Sequence, residues 1–287
     1  MKSLAFLALA ALSATTAAFG FRPFNDGSDS LVQALESNFQ VSHQIELYDV
    51  SVFPLQGEPI QTRAFLIYQY GEDSARGVWR ILPSETSGAV TLLVLQGPDL
   101  NPPTVFLHDA ASGRVGWLEG REKHAPFGPT GWNLEDAYDD DKEDWNNTRG
   151  PNRPIANTFS TQIIQSYRDP VLRRESLYGS RKVFLSPQDS RLLRLDYLDR
   201  ENNLIKRLTA DNHSDFGAAG APRIRARRLT IRHFETGSLT VMNLARANYD
   251  CTLPGELFTP RFVAAWAEED DRRILRQTKP LADLLQP

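Results

Sequence analysis

The feature that constrains this chain most is a repetition. From residue 41 to residue 247, short runs rich in branched and aromatic side chains recur, each closed by a turn-forming cluster. Val41, His43, Ile45 and Leu47 alternate with Ser42, Gln44 and Glu46, the period-two pattern of a half-buried strand. Runs at 62–70, 76–82 and 89–96 have the same composition. The segments 104–107 and 114–118 flank Asp109-Ala110-Ala111-Ser112-Gly113, which reads as a hairpin turn. Strand patterns resume at 159–167, 171–178, 181–185, 191–198 and 204–209, and a further hairpin is predicted for 223–234 and 238–247 around Glu235-Thr236-Gly237. Helices are predicted over 30–40, where Ser30 and Gln33 fit a capping box, and over 260–275, carrying Phe262, Val263, Trp266 and Ile274. Roughly ten strands and two or three helices, joined mostly by short turns, predict a mainly β, α+β chain with antiparallel meander pairing.

Two of the strands, 64–68 and 90–95, are apolar on both faces. Such a strand is either covered on both sides or has one face on an apolar cavity. Between residues 125 and 157 the pattern breaks. Pro126, Pro129, Gly131, Gly150, Pro151 and Pro154 punctuate the segment, and an acidic stretch runs from Glu135 to Asp144. It reads as a long excursion with one short helix starting near Asn133, and excursions of this size tend to be lids or binding loops. Trp132 and Trp145 bracket the acidic stretch and are expected to be exposed or part of such a lid, whereas Trp79 in mid-strand is expected in the core.

The N-terminus reads as a signal peptide over 1–18. Lys2 supplies the positive end, 4–12 the apolar core, and Thr16-Ala17-Ala18 the small residues before a cut after Ala18. The apolar core is too short for a spanning helix, which takes about 20 apolar residues, and no later segment is long and apolar enough to span. Residues 19–287 are then expected to form one exported domain. A net charge of −4 gives no pull toward nucleic acid. A single cysteine, Cys251, excludes an internal disulfide and reads as a small buried hydrophobe.

No pattern of catalytic or metal-binding residues emerges. Counted from Asp139, an EF-hand would need glycine and glutamate where Asp144 and Gly150 stand. His43, His108, His124, His213 and His233 show no metal spacing, and there is no nucleophile elbow or phosphate loop. The expectation is no metal, no cofactor and no catalytic residue. A hydrolase would require His43, His124 or His233 to meet a carboxylate in a pocket. Arg223, Arg225 and Arg227 alternate onto one strand face, either as anionic head-group contacts or as a solvated face whose stems cover apolar surface.

Four segments together resemble the outer-membrane lipoprotein-sorting proteins of the LolA/LolB-like superfamily: GVWRILP at 77–83, FGPTGWNLEDAYDDD at 127–141, RKVFLSPQDSRLLRLDYLDRENNLIKRL at 181–208, and the run from Arg223 to Val263. Ala125-Pro126-Phe127-Gly128 departs from the family's usual serine–phenylalanine–x–glycine run. The resemblance implies a strongly curved open antiparallel sheet, an unclosed β-barrel wrapping a few helices, whose apolar concave face holds acyl chains in transit across a periplasm. It carries no catalytic residues. The implied function is that of an exported carrier for lipid, lipoprotein acyl chains or another apolar ligand. Its partners would be lipid or acylated protein, with envelope proteins as further candidates. The alternative is a periplasmic protein-binding or regulatory module on the same scaffold. Phe65, Ile67, Trp79, Leu92, Val94, Leu193 and Leu195 are the expected lining; the sequence leaves open which face is concave, so some of the seven are simply core.

Overall fold

The computed structural model describes residues 27–268 except 40–41, 72–73, 86, 98–99, 138–143, 156–157, 218–223 and 250. The leader at 1–18, most of the acidic run, Arg223 and the helix predicted beyond 268 lie outside the described residues. A first helix, α1 (Ser28–Phe39), precedes five long strands: β1 (His43–Phe53), β2 (Ile60–Tyr70), β3 (Ala75–Ile81), β4 (Val90–Gly97) and β5 (Leu100–Asp109). The short β6 (Arg114–Trp117) follows, then 3-10 turns at Gly120–His124 and Leu134–Ala137. Beyond them come β7 (Trp145–Arg149), β8 (Arg153–Ile155), β9 (Thr158–Tyr167) and a short helix α2 (Pro170–Glu175). The last strands are β10 (Ser180–Leu185), β11 (Leu192–Leu198), β12 (Leu204–Asp215), β13 (Ile224–His233) and β14 (Leu239–Asn248), and the helix α3 (Pro260–Glu268) ends the described chain.

All the strands join one antiparallel sheet in the order β6-β5-β4-β3-β2-β1-β14-β13-β12-β11-β10-β9-β7, with β8 also on β9. The sheet is open, with β6 at one edge and β7 at the other. Its one long-range step is the pairing of β1 with β14, from Phe53↔Leu239 to Ile45↔Asn248, which joins two meanders into one surface.

The sheet curls. Tyr68 on β2 donates from its hydroxyl to the carbonyl of Ala137 at 3.1 Å, and Lys206 on β12 pairs with the neighbouring Asp136. Four strand steps separate β2 from β12. In a flat sheet that is about 19 Å, at about 4.8 Å per step. Two side chains can converge on adjacent residues only if the sheet wraps around them.

The inner face thus carries the 118–137 excursion, and Tyr48, Val50, Trp79, Leu92, Leu107, Leu208, Ile231 and Met242 pack with its Phe127, Trp132, Leu134 and Ala137. Register places α1 on the same face. Leu195 stands opposite Leu208 and Val183, and Val183 opposite Ile163. These side chains receive Leu31, Val32 and Leu35 of α1. The outer face of β1–β5 is covered instead by the C-terminal segment: Leu253, Leu257, Phe258, Val263 and Trp266 bury Ile45, Phe65, Ile67, Val78 and Leu93. This is why 64–68 and 90–95 are apolar on both faces: they are covered on both sides.

Two local expectations are corrected. Residues 171–178 are not a strand. Asp169 caps α2, its carboxylate accepting from the Val171 amide at 2.6 Å, and Pro170 supplies a helical φ at the first position. The excursion also ends earlier than expected, since Trp145–Arg149 and Arg153–Ile155 are edge strands on β9. Their Asn-Asn-Thr-Arg sequence lacks a strand's usual apolar alternation because only one residue, Trp145, turns inward as a fully buried side chain.

Candidate functional site

The centre of the inner face is aromatic. Trp132 meets Trp79 edge-on at 5.7 Å between ring centroids, and Phe127 meets the same ring at 6.0 Å. The Trp132 indole N–H points at the Met242 sulfur, 3.1 Å away. The Trp79 indole N–H donates to the Tyr68 hydroxyl. Trp132, expected to be exposed or part of a lid, is buried within the covering excursion, and Trp145, given the same expectation, is buried too, stacking on Tyr167 at 4.0 Å with the Arg181 guanidinium over its ring.

The excursion is fastened over this surface by polar contacts. The Lys206 ammonium donates to Asp136, to the Tyr178 hydroxyl and, at 3.1 Å, to Asn133 Oδ1. It also lies 4.4 Å from the Tyr197 ring centroid. The Tyr178 hydroxyl donates to Asp136 Oδ1 at 2.7 Å, and the Asn133 backbone N–H to Asp136 Oδ2 at 2.7 Å. Beside this cluster Glu135 accepts from the Ser176 hydroxyl and from the Leu177 amide at 2.9 Å. Burial pushes the Lys206 ammonium below its ordinary pKa and the Tyr178 hydroxyl well above its own, and it raises the Glu135 carboxyl. Gly131 makes the close approach: its N–H donates to the Thr240 hydroxyl at 2.9 Å, and a Cβ there would stand 2.9 Å from Ile231 Cγ2.

A second buried polar group lies on the inner face at the opposite end of β1. Glu46 accepts from Tyr249 at 2.7 Å and from Tyr48 at 3.0 Å, with the Arg225 guanidinium 3.6 Å away. Arg225 also donates to Gln44 at 3.1 Å. Burial raises the pKa of both tyrosines. The arginine stripe is thus divided: Arg225 is buried against a carboxylate, while Arg227 is exposed, 5.8 Å from the Phe216 ring.

The seven expected lining residues do not form one surface. Trp79, Leu92 and Val94 come together on the inner face, and Leu195 adjoins them through the α1 contact. Leu193 is buried on the same strand. Phe65 and Ile67 lie on the outer face beneath Trp266. The sequence pointed to the excursion as a lid or binding loop but not to its contacts: Phe127 and Leu134 in the core, and the Lys206–Asp136 pair, whose partners lie 70 residues apart. An open pocket of about 460 Å³ remains where the excursion meets the β1–β2 and β13–β14 loops, lined by Pro54, Leu55, Trp132, Asn133, His233 and Ser238.

One histidine does meet a carboxylate, His124 Nε2 lying 3.6 Å from Glu135 Oε2. Ser176, however, donates to Glu135 and not to His124. The carboxylate stands in the middle, whereas activating a hydroxyl needs the imidazole there. Among the described residues, no group of three or more acidic, histidine or cysteine side chains is placed to hold a metal ion, and no helix is long and apolar enough to cross a membrane.

Comparison with known proteins fits this architecture. No curated protein sequence matches the chain. A putative outer membrane lipoprotein-sorting protein domain from Vibrio parahaemolyticus superposes with a TM-score of 0.69 at 18% identity, covering 82% of this chain and 97% of that one. A DUF1329 family protein from Desulfovibrio piger gives 0.71 at 14% identity, covering 83% and 98%. A LolA superfamily protein from Nitrosomonas europaea gives 0.61 at 12% identity, covering 82% and 98%. A family model described as "Uncharacterized protein" matches residues 81–265, more than half of the chain. The chain belongs to that family, and its fold is the LolA-like fold of these solved structures.

Proposed function

We propose that this protein is an exported, periplasmic carrier that binds lipid, lipoprotein acyl chains or another apolar ligand on the inner face of its sheet, with the 118–137 excursion as an internal plug that the ligand displaces. The observation that carries the reading is the way that face is closed. The apolar surface of Trp79, Leu92 and Met242 is covered by a segment with little regular structure, which buries its own Phe127, Trp132, Leu134 and Ala137 there and is positioned by polar contacts around Lys206, Glu135 and Thr240. A segment of this kind can leave without unpairing a strand, and it exposes apolar area when it does. Each CH₂ that takes its place is worth about 0.8 kcal/mol, so one acyl chain can reach micromolar affinity without specific polar contacts. Trp79, Leu92, Val94, Leu193 and Leu195 would line the bound chain. Arg227, exposed near the far end of the face, would meet an anionic head group, and Arg225 would do so only by leaving Glu46. The similarity of the fold to a lipoprotein-sorting domain supports the cargo class.

Titration with a fluorescent fatty-acyl probe tests the reading. Leu195→Glu places a charge on the inner face at a half-buried position and should abolish uptake in a folded protein. Unchanged uptake by the folded variant would remove the inner face as the binding surface.

A further inference from the structure

The outer face differs between the two halves of the sheet. Over β1–β5 it is apolar and covered by the C-terminal segment. Over β11–β14 it is basic and solvent-facing. Cross-strand pairing aligns one row of side chains on this half: Phe53, Leu239, Arg232, Arg207, Asp196 and Lys182. The adjacent row on the same face runs Val241, Thr230, Thr209, Arg194 and Phe184. Four basic side chains share these rows with one carboxylate, on a chain whose net charge is −4.

The arginines are organised. Asp196 accepts from Arg194 Nε and Nη2 at 3.0 and 2.7 Å, and from Arg207 Nε and Nη2 at 2.6 and 3.0 Å. One buried carboxylate fixes two planar guanidinium groups and leaves Nη1 of each without a partner among the described residues. Arg232, next in the row, is exposed, and its side chain makes no hydrogen bond or ion pair among the described residues. Between these side chains lies a shallow pocket of about 360 Å³, lined by Arg207, Thr209, Thr230, Arg232, Phe234 and Leu239. At its rim Phe53 and Phe234 are 40% and 42% exposed.

We propose that this shelf is a docking site for an acidic segment of a partner protein. A carboxylate side chain of the partner enters between Arg207 and Arg232, with the two threonine hydroxyls beside it, and an apolar side chain packs on Phe53, Phe234 and Leu239. The chemistry fits the site in three ways. The Arg207 guanidinium, preset by Asp196, loses little freedom on binding a carboxylate, and the exposed Arg232 can close on it from the other side. The exposed phenylalanines supply the desolvated anchor that ion pairs at a surface lack. The patch reverses the sign of the whole chain, so an acidic partner is repelled elsewhere and steered here. A flat anionic membrane would meet a convex face only along a narrow stripe, which favours a peptide that can follow the rows.

Fluorescence anisotropy of a fluorescein-labelled peptide of alternating glutamate and phenylalanine, titrated with the whole mature protein, tests the proposal. Binding should weaken about tenfold in Arg232→Glu, an exposed position that leaves the core untouched, and should fall with added salt. Arg76→Glu, the same charge change on an exposed residue of β3, should leave it within about twofold. Equal weakening by both variants would reduce the effect to net charge and overturn the proposal. So would absence of peptide binding at about 1 mM protein, or Arg232-dependent sedimentation with phosphatidylglycerol vesicles without peptide binding.

Discussion

Lys206 on β12 and Asp136 in the excursion form an ion pair whose side chains are 1% and 0% exposed. Taking both charges out of water is expensive, and the pair persists because Tyr178 and Asn133 complete its hydrogen bonds. Its geometry therefore fixes where the excursion sits more than it adds to stability. Lys206→Met leaves Asp136 buried without its cation and should cost about 3–5 kcal/mol. Adding Asp136→Leu should return most of that loss. Urea denaturation of the two single variants and the double variant checks both statements; additive losses would mean that the two residues do not act as a pair.

Gly131 marks the closest approach of the excursion to β13 and β14. A methyl group there meets Ile231 Cγ2 at 2.9 Å, so Gly131→Ala should destabilise the protein by about 1–3 kcal/mol through overpacking. A shift in the denaturation midpoint reads it directly.

Thr240→Val removes the acceptor of the Gly131 N–H and leaves the inner surface apolar. Losing one hydrogen bond should weaken docking of the excursion by about 1 kcal/mol. If excursion and ligand compete for the same face, the acyl probe should then bind about fivefold more tightly. An unchanged or weaker affinity in the folded variant would mean that the excursion is not the competitor.

His213 and His233 give the fold a pH dependence. Burial lowers both pKa values, and the charge of Lys206 lowers that of His233 further. The folded chain therefore binds these protons less readily than the unfolded chain. Stability should fall as pH drops through the unfolded histidine value of about 6.5 and level off below the folded values. His233→Gln should flatten part of that slope. Denaturation at a series of pH values from neutral to mildly acidic measures it; a slope identical in wild type and variant would exclude His233 as a contributor.

The strands were legible because their signal is local. Ile45 and Leu47 announce a buried face by alternation alone. The apolar faces of 64–68 and 90–95 left cover on both sides and a lined cavity equally open, and the structure shows cover, since Trp266 and Trp132 reach those strands from distant parts of the chain. The helix α2 was hidden for the opposite reason. Val171, Leu172 and Leu177 satisfy a strand pattern, while the deciding features are one cap and one proline. Lys206 gave no local sign of burial, because its partners Asp136 and Tyr178 are brought to it by the curl of the sheet. The arginine stripe failed as a unit because Glu46, far away on β1, claims Arg225 and leaves Arg227 in solvent.

The central claim is that the inner face of the sheet holds an apolar ligand. Native mass spectrometry with solvent extraction, on the mature protein purified from its own envelope fraction, tests it most directly. The account predicts a bound lipid or acylated peptide that is lost in Leu195→Glu. A protein that emerges empty, and that also refuses fluorescent acyl probes, would contradict it.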